Sequence, residues 1–269
     1  LQGHVDLYDY NTIMRRNSRT VGRRWGVPSA ALFFLALLVV APVYGQLRFQ
    51  PLSVSLRPEG EERSTSFRVG NGSDAPIAVR VRVLTRQLAP DGSETREPVD
   101  EGAFTLFPSR LVLEPGQTRA VRLTYQGETQ IRREHAYRIL AEQLPVDFSE
   151  EEASGGELNI VLRYFGAVYV TPPGAEPDVR GSLEGAADGE ARLILENIGR
   201  KHAILKELSV TLEERTGGSV TTHSLPDQEL SNLAGTNLLA GTRRVETVRL
   251  PEGVSAESVT VDVSFETPQ

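Results

Sequence analysis

The 269 residues include no cysteine, which removes disulfides, thiolate metal sites and cysteine nucleophiles together. Aromatic residues make up only 6% of the chain, with a single tryptophan, Trp25. Histidine is scarce too: His4, His135, His202 and His223 are scattered without the spacing of metal ligands, so no metal site is expected. Basic charge is in deficit, the net charge being −7, which argues against nucleic acid as a partner. No Gly-x-Ser-x-Gly elbow, phosphate-cradling glycine loop or dinucleotide fingerprint is present; neither catalysis nor a cofactor is expected. The run Glu150-Glu151-Glu152 sits beside serine and glycine and reads as a solvated loop.

Long hydrophobic runs are also missing. The most apolar stretch, residues 30–40, is well short of the roughly 20 residues that span a bilayer, so no stable membrane insertion is expected. Its setting gives it another meaning. Met14, the only methionine, precedes Arg15, Arg16, Arg19, Arg23 and Arg24, and the apolar run ends at small residues, with Val43 and Gly45 before Gln46. A basic head, a short apolar middle and a small-residue cleavage site predict a secretory signal over 14–45, with 1–13 a non-native upstream extension. The product is expected to be exported and to begin at Gln46.

What remains is rich in alternation of period two. Ile77, Val79, Val81 and Val83 alternate with Ala78, Arg80 and Arg82, an apolar face against a mostly basic one. Val121, Leu123 and Tyr125 repeat the pattern, as do Val259, Val261, Val263 and Phe265. Such segments are half-buried strands of antiparallel sheets. Turn sequences such as Asn71-Gly72-Ser73-Asp74, Pro90-Asp91-Gly92 and Glu114-Pro115-Gly116-Gln117 separate them, as in β-sandwiches. Three prolines, Pro172, Pro173 and Pro177, interrupt the pattern. The expected fold class is all-β: one immunoglobulin-like sandwich over 46–171, a linker over 172–178 and a second sandwich over 179–269.

One segment is unusual. Residues 158–170 keep a strand pattern for about twice the ordinary strand length, with Leu158, Ile160 and Leu162 on one face. Two readings stay open on pattern alone. The segment is a central strand buried on both faces, or it outruns its own sheet and offers backbone groups and an apolar row to another polypeptide.

A resemblance bears on this choice. Phe107-Pro108-Ser109-Arg110-Leu111-Val112-Leu113-Glu114-Pro115-Gly116-Gln117-Thr118, followed by Val121-Arg122-Leu123, resembles the central signature of the periplasmic pilus-assembly chaperones of the chaperone–usher pathway. Glu134-His135-Ala136-Tyr137-Arg138-Ile139 and Glu142-Gln143-Leu144-Pro145 are similar to the family's next strand and its closing proline. Leu239-Ala240-Gly241-Thr242-Arg243-Arg244 resembles a motif of the archaic, spore-coat-U-type branch. The resemblance implies two immunoglobulin-like domains set in an L. It implies a long strand lent to a pilus subunit that lacks its own last strand, and delivery of that subunit to an outer-membrane usher. Leu158, Ile160 and Leu162 would fill the subunit's pockets.

The sequence departs from the family at the two basic residues that anchor the subunit's C-terminal carboxylate. Ser53 falls at the first of those places and Ala167 near the second, and neither is basic. Arg138, Arg163 and Arg57, in that order, are the candidate substitutes. The rival expectation is a structural protein: an exported sandwich of the cell surface, or a pilus subunit with an incomplete sandwich.

Overall fold

A computed structural model describes residues 47–145, 161–216 and 219–266. The expected signal segment, Gln46, the Glu150–Glu152 run and two of the three donor residues, Leu158 and Ile160, lie outside the described residues.

The first sandwich is built from β1 (Leu47–Gln50), β2 (Ser53–Leu56), β3 (Ser64–Asn71), β4 (Ile77–Thr85), β5 (Gln87–Leu88) and β6 (Glu94–Thr95). It continues with β7 (Phe104–Phe107), β8 (Arg110–Leu113), β9 (Thr118–Tyr125), β10 (His135–Leu144) and β11 (Arg163–Val170). One sheet has the order β1-β3-β9-β7 and the facing sheet β2-β11-β10-β4-β8, while β5 and β6 form a separate hairpin. The leading segment serves both sheets. β1 pairs with β3, the chain turns at Pro51, which has no N–H to donate, and β2 then runs parallel to β11.

The alternation dictates what lies between the sheets. Val79, Val81, Leu113, Val121, Leu123, Ile139, Val168 and Val170 meet in one core. The few aromatics are concentrated there: Phe49 stacks on Phe67 at 5.1 Å, and Phe104 meets Tyr125 and Tyr137 edge-on. Burial, with nearby Tyr125 and Asp100 adding to it, pushes the Tyr137 hydroxyl up to about 12; a phenol lining an apolar layer stays neutral.

The second sandwich comprises β12 (Val179–Ala187), β13 (Glu190–Asn197), β14 (Ala203–Ile204), β15 (Lys206–Thr216), β16 (Ser219–Ser224), β17 (Asn237–Leu238), β18 (Arg243–Arg249) and β19 (Val259–Glu266). Its main sheets are β12-β13-β18 and β16-β15-β19. Its buried cluster is wholly aliphatic, with Leu193, Leu195, Leu205, Val210, Leu212 and Val248 at its centre.

Both sandwiches are pinned in the same way. Asn71, buried at the end of β3, donates through Nδ2 to the carbonyls of Ala75 and Leu113, and its Oδ1 accepts from the Ser73 N–H. Asn197, buried at the end of β13, donates to the carbonyls of Lys201 and Leu238, and its Oδ1 accepts from Gly199. In each case one amide closes a turn and ties it to a distant strand.

Candidate functional site

β11 has two different halves. Along its whole length it pairs antiparallel with β10, from Glu142↔Arg163 to His135↔Val170. On its other edge β2 covers only Ala167 to Val170, and the Ala167 N–H donates to the Leu52 carbonyl at 2.7 Å. Among the described residues, no strand pairs with residues 163–166 on that side. Leu52, Val161 and Phe165, three exposed apolar side chains, lie along this stretch. An uncovered sheet edge flanked by apolar groups is a template for an added strand.

The β10 pairing continues past the strand end, where the Gln143 N–H donates to the Leu162 carbonyl. Leu162 therefore prolongs β11, and it packs at the margin of the first core, as does Tyr164. In the covered half the strand is buried throughout, and the close packing begins one residue earlier, at Gly166. A Cβ there would lie 2.9 Å from Ile139 and 3.1 Å from the Leu52 carbonyl.

The register also places the two neutral anchor positions. Ser53 pairs with Ala167, and Ala167 with Arg138, so the three form one row across the sheet. Arg138 is already engaged. Its Nε and a terminal nitrogen grip the Glu94 carboxylate bidentately at 2.8 and 2.6 Å. Arg86 and Arg96 reach the same carboxylate at 3.0 and 2.7 Å. Burial alone would raise the Glu94 pKa, but the bonds and charges of Arg138 and Arg86 hold it at about 2. Three guanidinium groups around one carboxylate leave a cationic surplus at this end of the row.

The other two arginines lie elsewhere. Arg163, exposed on the outer face, is 3.6 Å from Glu142. Arg57 follows β2 and donates to the carbonyls of Thr171 and Pro172 and to Glu62. It lines a polar cavity of about 490 Å³ together with Lys201 and Glu176.

The closed half of β11 is also where the two sandwiches meet. The Tyr169 ring stacks on His202 at 3.8 Å, nearly parallel, and its hydroxyl meets Arg86 and Asn237. Glu134, buried just before β10, accepts from the Thr171 hydroxyl and from the backbone N–H of His202, and its Oε1 lies 2.6 Å from His202 Nδ1. The 239–244 motif belongs to the same contact. Leu239 packs on Ala167 and Tyr169, and a Cβ at Gly241 would strike Arg133. The Val245 N–H donates to the Pro90 carbonyl at the tip of the β5–β6 hairpin. Glu94, Glu134, Tyr169 and His202 carry no local signal of this role, because their partners are far away in sequence. Among the described residues no acidic, histidine or cysteine cluster could hold a metal, and no helix is long and apolar enough to cross a membrane.

Residues 49–176 match the family model described as pili and flagellar-assembly chaperone, PapD N-terminal domain. The first sandwich belongs to that family. The likeness of fold to solved structures extends over both sandwiches. The class 5 fimbriae chaperone CfaA aligns at a TM-score of 0.53 and 15% identity, covering 82% of this chain and 99% of that one. The archaic CsuC–CsuE chaperone–tip adhesion subunit pre-assembly complex of Acinetobacter baumannii aligns at 0.51 and 15%, covering 78% and 90%. No curated protein sequence matches the chain.

Proposed function

We propose that this protein is a periplasmic chaperone that holds pilus subunits by donor-strand complementation and passes them to an outer-membrane usher. The observation that carries the reading is the half-covered β11 strand, whose open edge at 163–166 has backbone groups and flanking apolar side chains ready for a partner. A subunit strand pairs there, and Leu158, Ile160 and Leu162 enter its unfilled groove. The family is one of chaperones rather than enzymes, and the CsuC–CsuE structure is of a chaperone with a tip adhesion subunit. Export through the 14–45 signal segment brings the chain to the compartment where such subunits emerge. A pilus subunit would lack a strand, whereas here β2 and β11 both stand in their sheet.

Arg138 takes the subunit's C-terminal carboxylate, because it extends the Ser53–Ala167 row and shares one glutamate with two further arginines. Arg163 ranks second, being exposed, and Arg57 third, since it is spent on linker carbonyls.

The test is co-purification with a pilus subunit. Ile160→Glu/Leu162→Glu puts charge into apolar pockets, at a cost of several kcal/mol. Subunit recovery should collapse while circular dichroism and melting stay those of a folded chaperone. Normal recovery by the folded double variant would sink the donor-strand assignment. For the anchor, Arg138→Ala should weaken an intact subunit about tenfold or more and leave a C-terminally amidated one nearly unchanged. Equal losses would make Arg138 structural.

A further inference from the structure

The outer face of the β2-β11-β10-β4-β8 sheet, turned away from the first core, carries an ordered array of arginines. Cross-strand register aligns Arg110, Arg80, Glu142 and Arg163 in one row over four strands. Arg82, Leu140 and Phe165 form the next. Glu142 is the only carboxylate in these two rows. It is deeply buried and shared by Arg80 at 2.7 Å, Arg82 at 2.9 Å and Arg163 at 3.6 Å. Arg110 has no ionic partner among the described residues. It stands directly opposite Arg80, and like charges so placed destabilise a sheet. The fold thus keeps four arginines against one carboxylate in a chain whose net charge is −7.

This array abuts the open edge. Arg163 and Phe165 are the outer-face residues of the uncovered half of β11, so a strand added there sets its own outward side chains beside them. We propose that the arginine rows are a docking face for an acidic partner strand. The polypeptide that pairs with the open edge carries aspartate or glutamate at the positions facing Arg163, and Arg110, Arg80 and Arg82 steer it in. The proposal rests on the donor-strand reading and adds a sign to it. Cross-strand opposite charges favour the register, and a one-signed surface speeds encounter with the opposite sign.

Three extended peptides test it, each alternating valine on one face with glutamate, lysine or glutamine on the other. Binding to the whole protein is measured at low salt and at about 0.5 M NaCl, where surface charge is largely screened. The glutamate peptide should bind about tenfold tighter than the lysine peptide at low salt, with glutamine between them. The preference should vanish at high salt. It should also vanish in Arg110→Glu/Arg163→Glu, or in the glutamine double variant should that reversal fail to fold. Equal binding of all three peptides overturns the acidic partner and leaves the donor strand standing. No binding by any peptide overturns both. If Glu150→Gln/Glu151→Gln/Glu152→Gln alone raises glutamate-peptide affinity tenfold, the arginines already serve the chain's own acids and the proposal falls.

Discussion

The two halves of β11 share one partner, β10, and one alternating sequence, yet they are set to different tasks. Residues 167–170 lie between β10 and β2, and their outer face is covered by Leu239 and the Tyr169–His202 stack. Among the described residues, 163–166 pair with β10 alone; Arg163 is exposed, and Phe165 is partly open beneath the Arg96 guanidinium. The closed half fixes the fold and joins the sandwiches. The open half, by contrast, keeps an unpaired edge. Strand pattern reports both as one element; coverage by neighbours separates them.

The sharpest way to break this comparison is to place the same charge in each half. Val168→Asp puts a carboxylate into a fully buried core position and should cost several kcal/mol, seen as loss of soluble protein or of the melting transition. Phe165→Asp, on the open half, should leave the melting temperature within a few degrees of the parent. Equal damage by both would show that the open half also carries the fold.

Next in size is the junction. Glu134→Ala leaves the Thr171 hydroxyl and the His202 N–H without their buried acceptor, at about 1–3 kcal/mol per group. Melting should drop, and hydrogen exchange should quicken at residues 200–202 before it quickens in either core. Uniform loss of protection would mean that the contact is not a separable unit.

The third prediction concerns acid. Glu94 has its folded pKa depressed from 4.5 to about 2, so its contribution is complete above the unfolded value and is lost as pH falls through the folded one. Glu94→Gln should be less stable than the parent at pH 7. The gap should narrow steadily from about pH 5 toward pH 2, followed by urea unfolding at each pH. A gap independent of pH would mean that Glu94 acts by packing and not by charge.

The smallest effect is expected at Arg163→Ala. Arg163 is itself exposed, and the Glu142 it approaches at 3.6 Å is already held by Arg80 and Arg82, so unfolding free energy should change by less than about 0.5 kcal/mol. A larger loss would place Arg163 within the structural set.

The legible parts of the sequence were those where one face differs from the other. β4, β9 and β19 follow from alternation because core and solvent impose opposite chemistry on successive residues. The β5–β6 hairpin was only partly legible. Its turn stands out at Pro90-Asp91-Gly92, but two-residue strands are too short to show a period. Thr221 and Thr222 look like loop residues yet belong to the exposed edge strand β16, where neither face is buried enough to leave a pattern. The site was legible as a segment and not as a set of contacts. That Arg138 would meet Glu94, or Glu134 meet His202, depends on side chains 44 and 68 residues apart. The motif at 239–244 was recognisable without its reason, which lies in the first sandwich against Arg133 and Tyr169.

The knit between the sandwiches has a thermodynamic consequence for binding. The Glu134 carboxylate, the Tyr169–His202 stack and the Val245–Pro90 hydrogen bond fix the orientation of one sandwich to the other before any partner arrives. The rotational freedom a loose hinge would surrender on association has then already been given up on folding. A partner strand meets a pre-set surface, and the ordering left to be done falls on the partner and on side chains along the open edge. Calorimetry on a Glu134→Ala protein should therefore show a less favourable binding entropy than the parent, although Glu134 lies away from the open edge.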